Sequence, residues 1–240
     1  MLSITYDDLK QPVENNYLQV ASIDLGEIHS ITSIRTGGEG VIITGRKIRS
    51  IKRLRNKKIT ELTRKMSKCK KGSRQWKKYK KALNFTKSKT ERQLTDVIHK
   101  TTKQYVDWCI ENEVGEVAVG EVEGVQRNRS RRNKKVPKHR RRARKTNQKL
   151  SQWQFGKIKQ YLAYKLYIEG ITLKTVSEAY TSQTCPVCDR RKKVSSRNYR
   201  CSCGYTNLRD IHGAGNILSK HLYDNFQPME IFHITYLRIA

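Results

Sequence analysis

"YLQVASIDLGEIHSITSIRTGGEGVIITG", residues 17–45, is the stretch on which the fold turns. Its opening "YLQVASIDL" (17–25) alternates enough between apolar and polar side chains to read as a strand with one face toward a core. "HSITSI" at 29–34 and "VIITG" at 41–45 flank the glycine-rich turn "RTGGEG", which together predict a β-hairpin with a Thr/Ile-rich face. The chain therefore opens on about three antiparallel strands, and the first of them ends in an acid, Asp24.

Beyond this hairpin the period of the pattern changes. From Arg46 to about Glu111 there is no proline and a single turn cluster, near Lys71-Gly72-Ser73. Ile48, Ile51, Leu54, Ile59 and Leu62 recur at helical spacing, so a long helical hairpin is expected, and its second arm, "TERQLTDVIHKTTKQYVDWCIEN", is amphipathic enough to pack on a sheet. "GEVAVGEVEG" (115–124) reads as a strand and "LSQWQFGKIKQYLAYKLYIEGI" as a helix with a Ser cap and a Gly stop. "TLKTVSEAY" is a further strand, "RDIHGAGNILSKHLYD" a last helix and "EIFHITYLRIA" an extended tail. Strands first, a helix between strands and helices after them predict a layered α/β or α+β domain.

The 240 residues, 36% of them hydrophobic, suffice for a core. Lys and Arg number 51 against 21 Asp and Glu, a formal charge of +30 that an ordinary enzyme of small metabolites does not need and that a polyanion partner explains. Nucleic acid is the leading partner class and an anionic membrane surface the rival. No run of apolar residues is long enough to span a bilayer and the N-terminus carries no signal pattern, so a soluble, cytoplasmic, nucleoid-associated protein is expected, with no membrane partner. Two segments concentrate the charge. Arg46 to Lys89 holds twenty Lys or Arg and one acid, Glu61, too few acids for the i,i+4 pairing of a merely solvated helix face. Between Arg127 and Lys149, 13 of 23 residues are basic and none is acidic, so self-repulsion should keep that linker extended. Its Arg127, Arg129, Arg131, Arg132, Lys134, Lys135, Arg140, Arg141 and Arg142 are candidate nucleic-acid contacts. Trp76, Tyr79, Tyr180 and Tyr205 read equally as base-stacking or core residues.

Four of six cysteines cluster. Cys185-Pro-Val-Cys188, twelve intervening residues and Cys201-Ser-Cys203-Gly204 form two knuckles joined by a basic hairpin, the pattern of a tetrahedral structural Zn²⁺ site in a zinc ribbon. The second pair is tighter than the usual C-x-x-C. Four protein ligands leave no open position, so the site should hold structure and perform no chemistry, while the ribbon's Arg190, Arg191, Lys192, Lys193, Arg197 and Arg200 suit phosphates. Cys69 and Cys109 read as bystanders.

Three acids end strands or open a helix: Asp24, Glu121 with Glu123 two residues on, and Asp210. Carboxylates at strand ends can converge although distant in sequence, and in a basic protein three of them suggest a pair of Mg²⁺ ions poised for phosphodiester hydrolysis. Asp210 reads equally as an acid answering a helix dipole, and spacing alone leaves both readings open.

"IDLG" at 23–26, "VAVGEVEGVQRNRSRR" at 117–132, "WQFGKIKQYLAYKLYIEG" at 153–170, "SEAYTSQTCPVCDRR" at 177–191 and "YRCSCGYTNLRDIHGAGNIL" at 199–218 together closely resemble the C-terminal half of TnpB, the transposon-encoded RNA-guided nucleases related to type V CRISPR effectors. The resemblance runs from about residue 17 to the end and implies an α/β, RNase H-like (RuvC-type) fold with a long basic helical hairpin (46–92), a basic linker (126–150) and a zinc ribbon (181–208) inserted before the last catalytic helix. On that reading 1–180 and 209–240 are the two parts of one nuclease core. Asp24 and Asp210 match the first and third catalytic acids. Relatives carry Glu-Asp-Leu where this chain has Gly120-Glu121-Val122, so Glu121 is the second acid and Glu123 the reserve.

The resemblance thus implies a metal-dependent endodeoxyribonuclease with structural Zn²⁺ and two catalytic Mg²⁺, DNA and a guide RNA as partners, and the basic hairpin against an RNA-containing duplex. About sixteen residues precede the first strand, so a nuclease half without its usual targeting half is expected, as a natural short form, as a separately made subunit with a second subunit for partner, or as a fragment. The alternative is a non-catalytic RNA- or DNA-binding partner or regulatory subunit. A strand-transfer transposase is disfavoured. Because the binding surface is read as electrostatic, affinity for nucleic acid is expected to fall steeply between low and physiological salt; a flat salt response in an anisotropy titration would contradict it.

Overall fold

The computed structural model describes residues 11–121 and 153–239. The reserve acid Glu123, the basic linker and its nine candidate contacts lie outside the described residues.

The opening stretch forms β1 (Gln19–Asp24), β2 (His29–Arg35) and β3 (Glu39–Thr44), an antiparallel meander. Helices α1 (Arg46–Ser67) and α2 (Arg74–Glu111) pack on each other across the short turn that contains Gly72. Ser73 caps α2 by accepting from the Trp76 amide at 3.2 Å. Strand β4 (Val114–Gly120), helix α3 (Phe155–Ile168) and strand β5 (Thr172–Val176) follow. The short hairpin β6 (Asn198–Arg200) and β7 (Thr206–Leu208) leads into α4 (Arg209–Tyr223) and strand β8 (His233–Leu237). The six-stranded sheet runs β5-β4-β1-β2-β3-β8, with β4 and β5 parallel to β1, and β8 parallel to β3. The tail expected to be merely extended thus contributes an edge strand: "HITYL" is rich in β-branched and aromatic residues and pairs Ile234 with Gly40 and Tyr236 with Ile42.

Side-chain alternation along β1 divides the molecule into layers. Ala21, Ile23 and Leu25 enter a core with Leu94, Val97, Ile98, Tyr105 and Val106 of α2 and Ile158, Leu162 and Leu166 of α3. Val20 lies toward the opposite cluster, where Ile34 and Ile42 meet Ile211, Ala214 and Leu218 of α4. Ser22, on that same face, donates to the Ala214 carbonyl at 2.7 Å. Two residues on, Asp24 has to face α4 as well. Helix α1, by contrast, buries only Ile48 and Lys52, so most of its basic surface is open to solvent. Among the described residues no helix is long and apolar enough to cross a membrane.

Leu162 is fully buried between α3 and the sheet. Leu162→Ala is expected to lower stability by about 2–5 kcal/mol, read as a shifted urea midpoint with an unchanged slope.

Candidate metal and nucleic-acid site

The carboxyl ends of β1, β4 and β5 lie side by side, and acids gather there. Ile23 pairs with Val119, Gly120 pairs with Val176, and the Glu121 amide donates to the Val176 carbonyl at 2.8 Å. Asp24 and Glu121 therefore leave neighbouring strand ends, and Glu178 follows β5 two residues after Val176. Asp210 comes from the first turn of α4. One helical turn on, Gly213 lets the helix close on β1: a Cβ there would sit 2.7 Å from the Asp24 Oδ2. Gly120 does the same for Glu178, whose Oε1 would lie 2.1 Å from a Cβ at that position.

The electrostatics follow from this crowding. Burial, then the charges of Glu178 and Asp210, push the Asp24 carboxyl well above the usual carboxylate range, against a smaller pull from Arg209. Burial and the Glu121 charge push Glu178 up to about 7. Its Oε1 is buried with no hydrogen-bond partner. Burial would raise Asp210 too, but it is held below its ordinary value because His29 Nδ1 donates to its Oδ2 at 2.7 Å and Arg209 and Arg197 add positive charge. Tyr236 packs edge-on against the His29 ring. The structure thus brings Asp24, Asp210 and Glu121 to one end of the sheet and adds Glu178 and His29, which sequence reading missed. The available signal was placement: Glu178 directly follows a strand, as Asp24 ends one, and His29 opens β2 just past the β1 turn. The carboxylates are not drawn tightly together. Among the described residues, only the four cysteines form a set of three or more potential ligands within 4.8 Å of one another.

In that second cluster Cys185 Sγ lies 3.6 Å from Cys203 Sγ, and Cys188 Sγ 3.5 Å from Cys201 Sγ. Tetrahedral Zn–S bonds of about 2.3 Å place sulfurs about 3.8 Å apart, so this set fits a zinc ion. A backbone hydrogen bond from Cys203 leads the causes that pull the Cys201 thiol down to about 6, while burial pushes the Cys185 thiol up to about 12. The cluster is fastened to α4. Tyr199 stacks on His212 with ring centroids 3.9 Å apart, and Asn216 donates to the Thr181 and Thr184 carbonyls at 2.7 and 2.8 Å. Cys109 is buried in the α2 core and Cys69 is half-buried, both away from the cluster. Trp76 and Tyr79 on α2 are half-buried, Tyr205 packs near Tyr199 and His212, and Tyr180 is half-exposed.

Residues 3–126 match the OrfB_IS605 family, described as "Probable transposase", and residues 155–217 match the Cas12f1-like TNB domain. With more than half of its length matched, the chain belongs to the OrfB/IS605 family of TnpB-type proteins. TnpB-like protein MJ0751 of Methanocaldococcus jannaschii is 25% identical over 211 residues, which cover 85% of this chain and 70% of that one. Among solved structures, a Cas12f1–sgRNA–target DNA complex superposes with a TM-score of 0.59 at 19% identity, over 92% of this chain and 52% of that one. A CRISPR-Cas12f ternary complex gives 0.64 at 18% identity, over 90% and 41%. The chain therefore shares the Cas12f fold while spanning about half or less of the length of those proteins.

A carboxyl whose pKa is raised on folding holds its proton more tightly in the native state, so stability is lost as pH climbs from its ordinary 4.5 through about 7. In buffer without added divalent cation the melting temperature is expected to fall across that window, and Glu178→Gln should make the fall shallower. Equal slopes in the two proteins would show that Glu178 carries no such strain.

Proposed function

We propose that this chain is a metal-dependent nuclease module that hydrolyses DNA phosphodiesters while associated with a guide RNA. The observation that carries the reading is the convergence of carboxylates at the ends of β1, β4 and β5, where burial and neighbouring acids raise Asp24 and Glu178 and the Glu178 Oε1 has no hydrogen-bond partner among the described residues. The order β5-β4-β1-β2-β3, its first two pairings parallel and its last two antiparallel, supports an RNase H-like fold of the RuvC type. In this reading Asp24, Glu121 and Asp210 offer oxygen ligands to Mg²⁺, a cation that prefers them and keeps its waters. When bound, a pair of such ions supplies charge stabilisation at the attacking and leaving oxygens of a phosphodiester. His29 fixes the orientation of the Asp210 carboxylate, and Gly213 admits Asp24 beneath the helix. The four thiolates hold Zn²⁺ and keep the ribbon folded against α4. The exposed basic face of α1 and the first turns of α2 carry the nucleic-acid backbone. The likeness to a Cas12f1 solved with sgRNA and target DNA supports RNA and DNA as the partners of this chain too.

A second reading, a nucleic-acid-binding module without chemistry, is favoured by the wider spacing of the carboxylates relative to the thiols. Cleavage separates the two. With Mg²⁺ and single-stranded DNA, Asp24→Ala should reduce cleavage by more than the roughly 100-fold typical of residues that merely support metal ligands. RNA binding and zinc content should be retained. Cleavage that is absent from the parent protein, with or without its co-purifying RNA, or that survives Asp24→Ala, would establish the binding module instead.

A further inference from the structure

The loop that follows β5 holds Tyr180 in a left-handed backbone conformation, φ 66°, unusual and strained for a bulky side chain. Its carbonyl is fixed by the Gln183 and Thr184 amides at 2.9 and 3.0 Å and by the Thr184 hydroxyl at 3.1 Å. This backbone throws the ring outward, half-exposed, where burial gives little return for the strain. The first cysteine knuckle then turns back over it. Thr184 bridges to Arg191, the Cys185 amide donates to the Arg190 carbonyl at 3.0 Å, and the Arg191 guanidinium comes to rest 4.2 Å above the Tyr180 ring. Beside this pair opens a cavity of about 360 Å³ at the C-terminal end of α4, lined also by Asp189, Lys220, Asp224 and Asn225.

We propose that this cavity is a niche for one unpaired nucleobase, stacked against Tyr180 and Arg191. Ring and guanidinium supply flat, cation-bearing surfaces that accept any base by its face. The carboxyl groups of Asp189 and Asp224 offer acceptors to base-edge N–H donors, while Asn225 offers both donor and acceptor. Two carboxylates against two cations leave the lining close to neutral, which suits a base better than a phosphate. Tyr180 lies two residues past Glu178, so the niche sits on the same loop as that acid. The niche rests on the reading of the chain as a nuclease for nucleic acid, but its test is independent of cleavage.

Tyr180→Gly is the decisive variant, since glycine occupies φ 66° without strain. Its melting temperature is expected to hold or rise, while affinity for short oligodeoxythymidylate or oligouridylate falls about tenfold. Affinity for an abasic strand of the same length, which keeps the phosphates and lacks bases, should not change. Tyr180→Phe should bind like the parent, and Arg191→Gln should repeat the base-selective loss in part. A loss on only one of the two polymers would assign the base to DNA or to RNA. Unchanged binding to base-bearing strands, or an equal loss on the abasic strand, would overturn the niche even if cleavage and its dependence on Asp24 stood, and a melting temperature that collapses in Tyr180→Gly would make the ring a packing element.

Discussion

Ser22 donates to the Ala214 carbonyl, and that single bond sets how closely α4 rides on β1. Everything at the acidic end of the sheet depends on this approach. With the helix so close, position 213 has room for no side chain, Asp24 is covered, and Asp210 is held one turn away from it. The same approach confines the negative charge. Asp24 and Asp210 could relieve their repulsion by moving apart, but the helix is clamped on one side by the sheet and on the other by Asn216, whose amide reaches two carbonyls of the loop before the first cysteine. Carboxylates that share one sheet end, even without direct contact, raise one another's cost of ionisation, and a cation bound between them would lower it.

Acidic and basic side chains are carried by different elements, although α1 starts beside the acidic strand ends, where Arg49 pairs with Glu27 at 3.4 Å. Acids collect where strands end, while α1 and the first half of α2 present basic side chains to solvent with few acidic partners; Lys65 with Glu61 is one such exception. A basic helical face of this kind attracts polyanions, while acids at strand ends attract cations.

How far the sequence revealed this depends on the range of the contacts involved. The alternation of Val20, Ser22 and Asp24 against Ala21, Ile23 and Leu25 is local and marks β1 as a strand, while the packing of both its faces needs the helices in place. The cysteine knuckles are equally legible, because two short pairs carry their geometry with them. The sixth strand was not: whether "HITYL" pairs or trails depends on the free edge of β3, nearly two hundred residues away. Glu178 and His29 escaped for the same reason. Nothing in "SEAY" or "GEIH" marks an acid or an imidazole as part of a site until β5 is laid beside β4 and β2 is folded against α4. The acids that were foreseen are those whose positions a family pattern marks; the added ones come from tertiary structure alone.

Strand β7 ends at Leu208 and α4 begins at Arg209, with no residue between them. A junction of that kind has no hinge. The backbone that carries the second cysteine pair thus runs without interruption into the turn that carries Asp210, and the stacked rings of Tyr199 and His212 tie the two a second time.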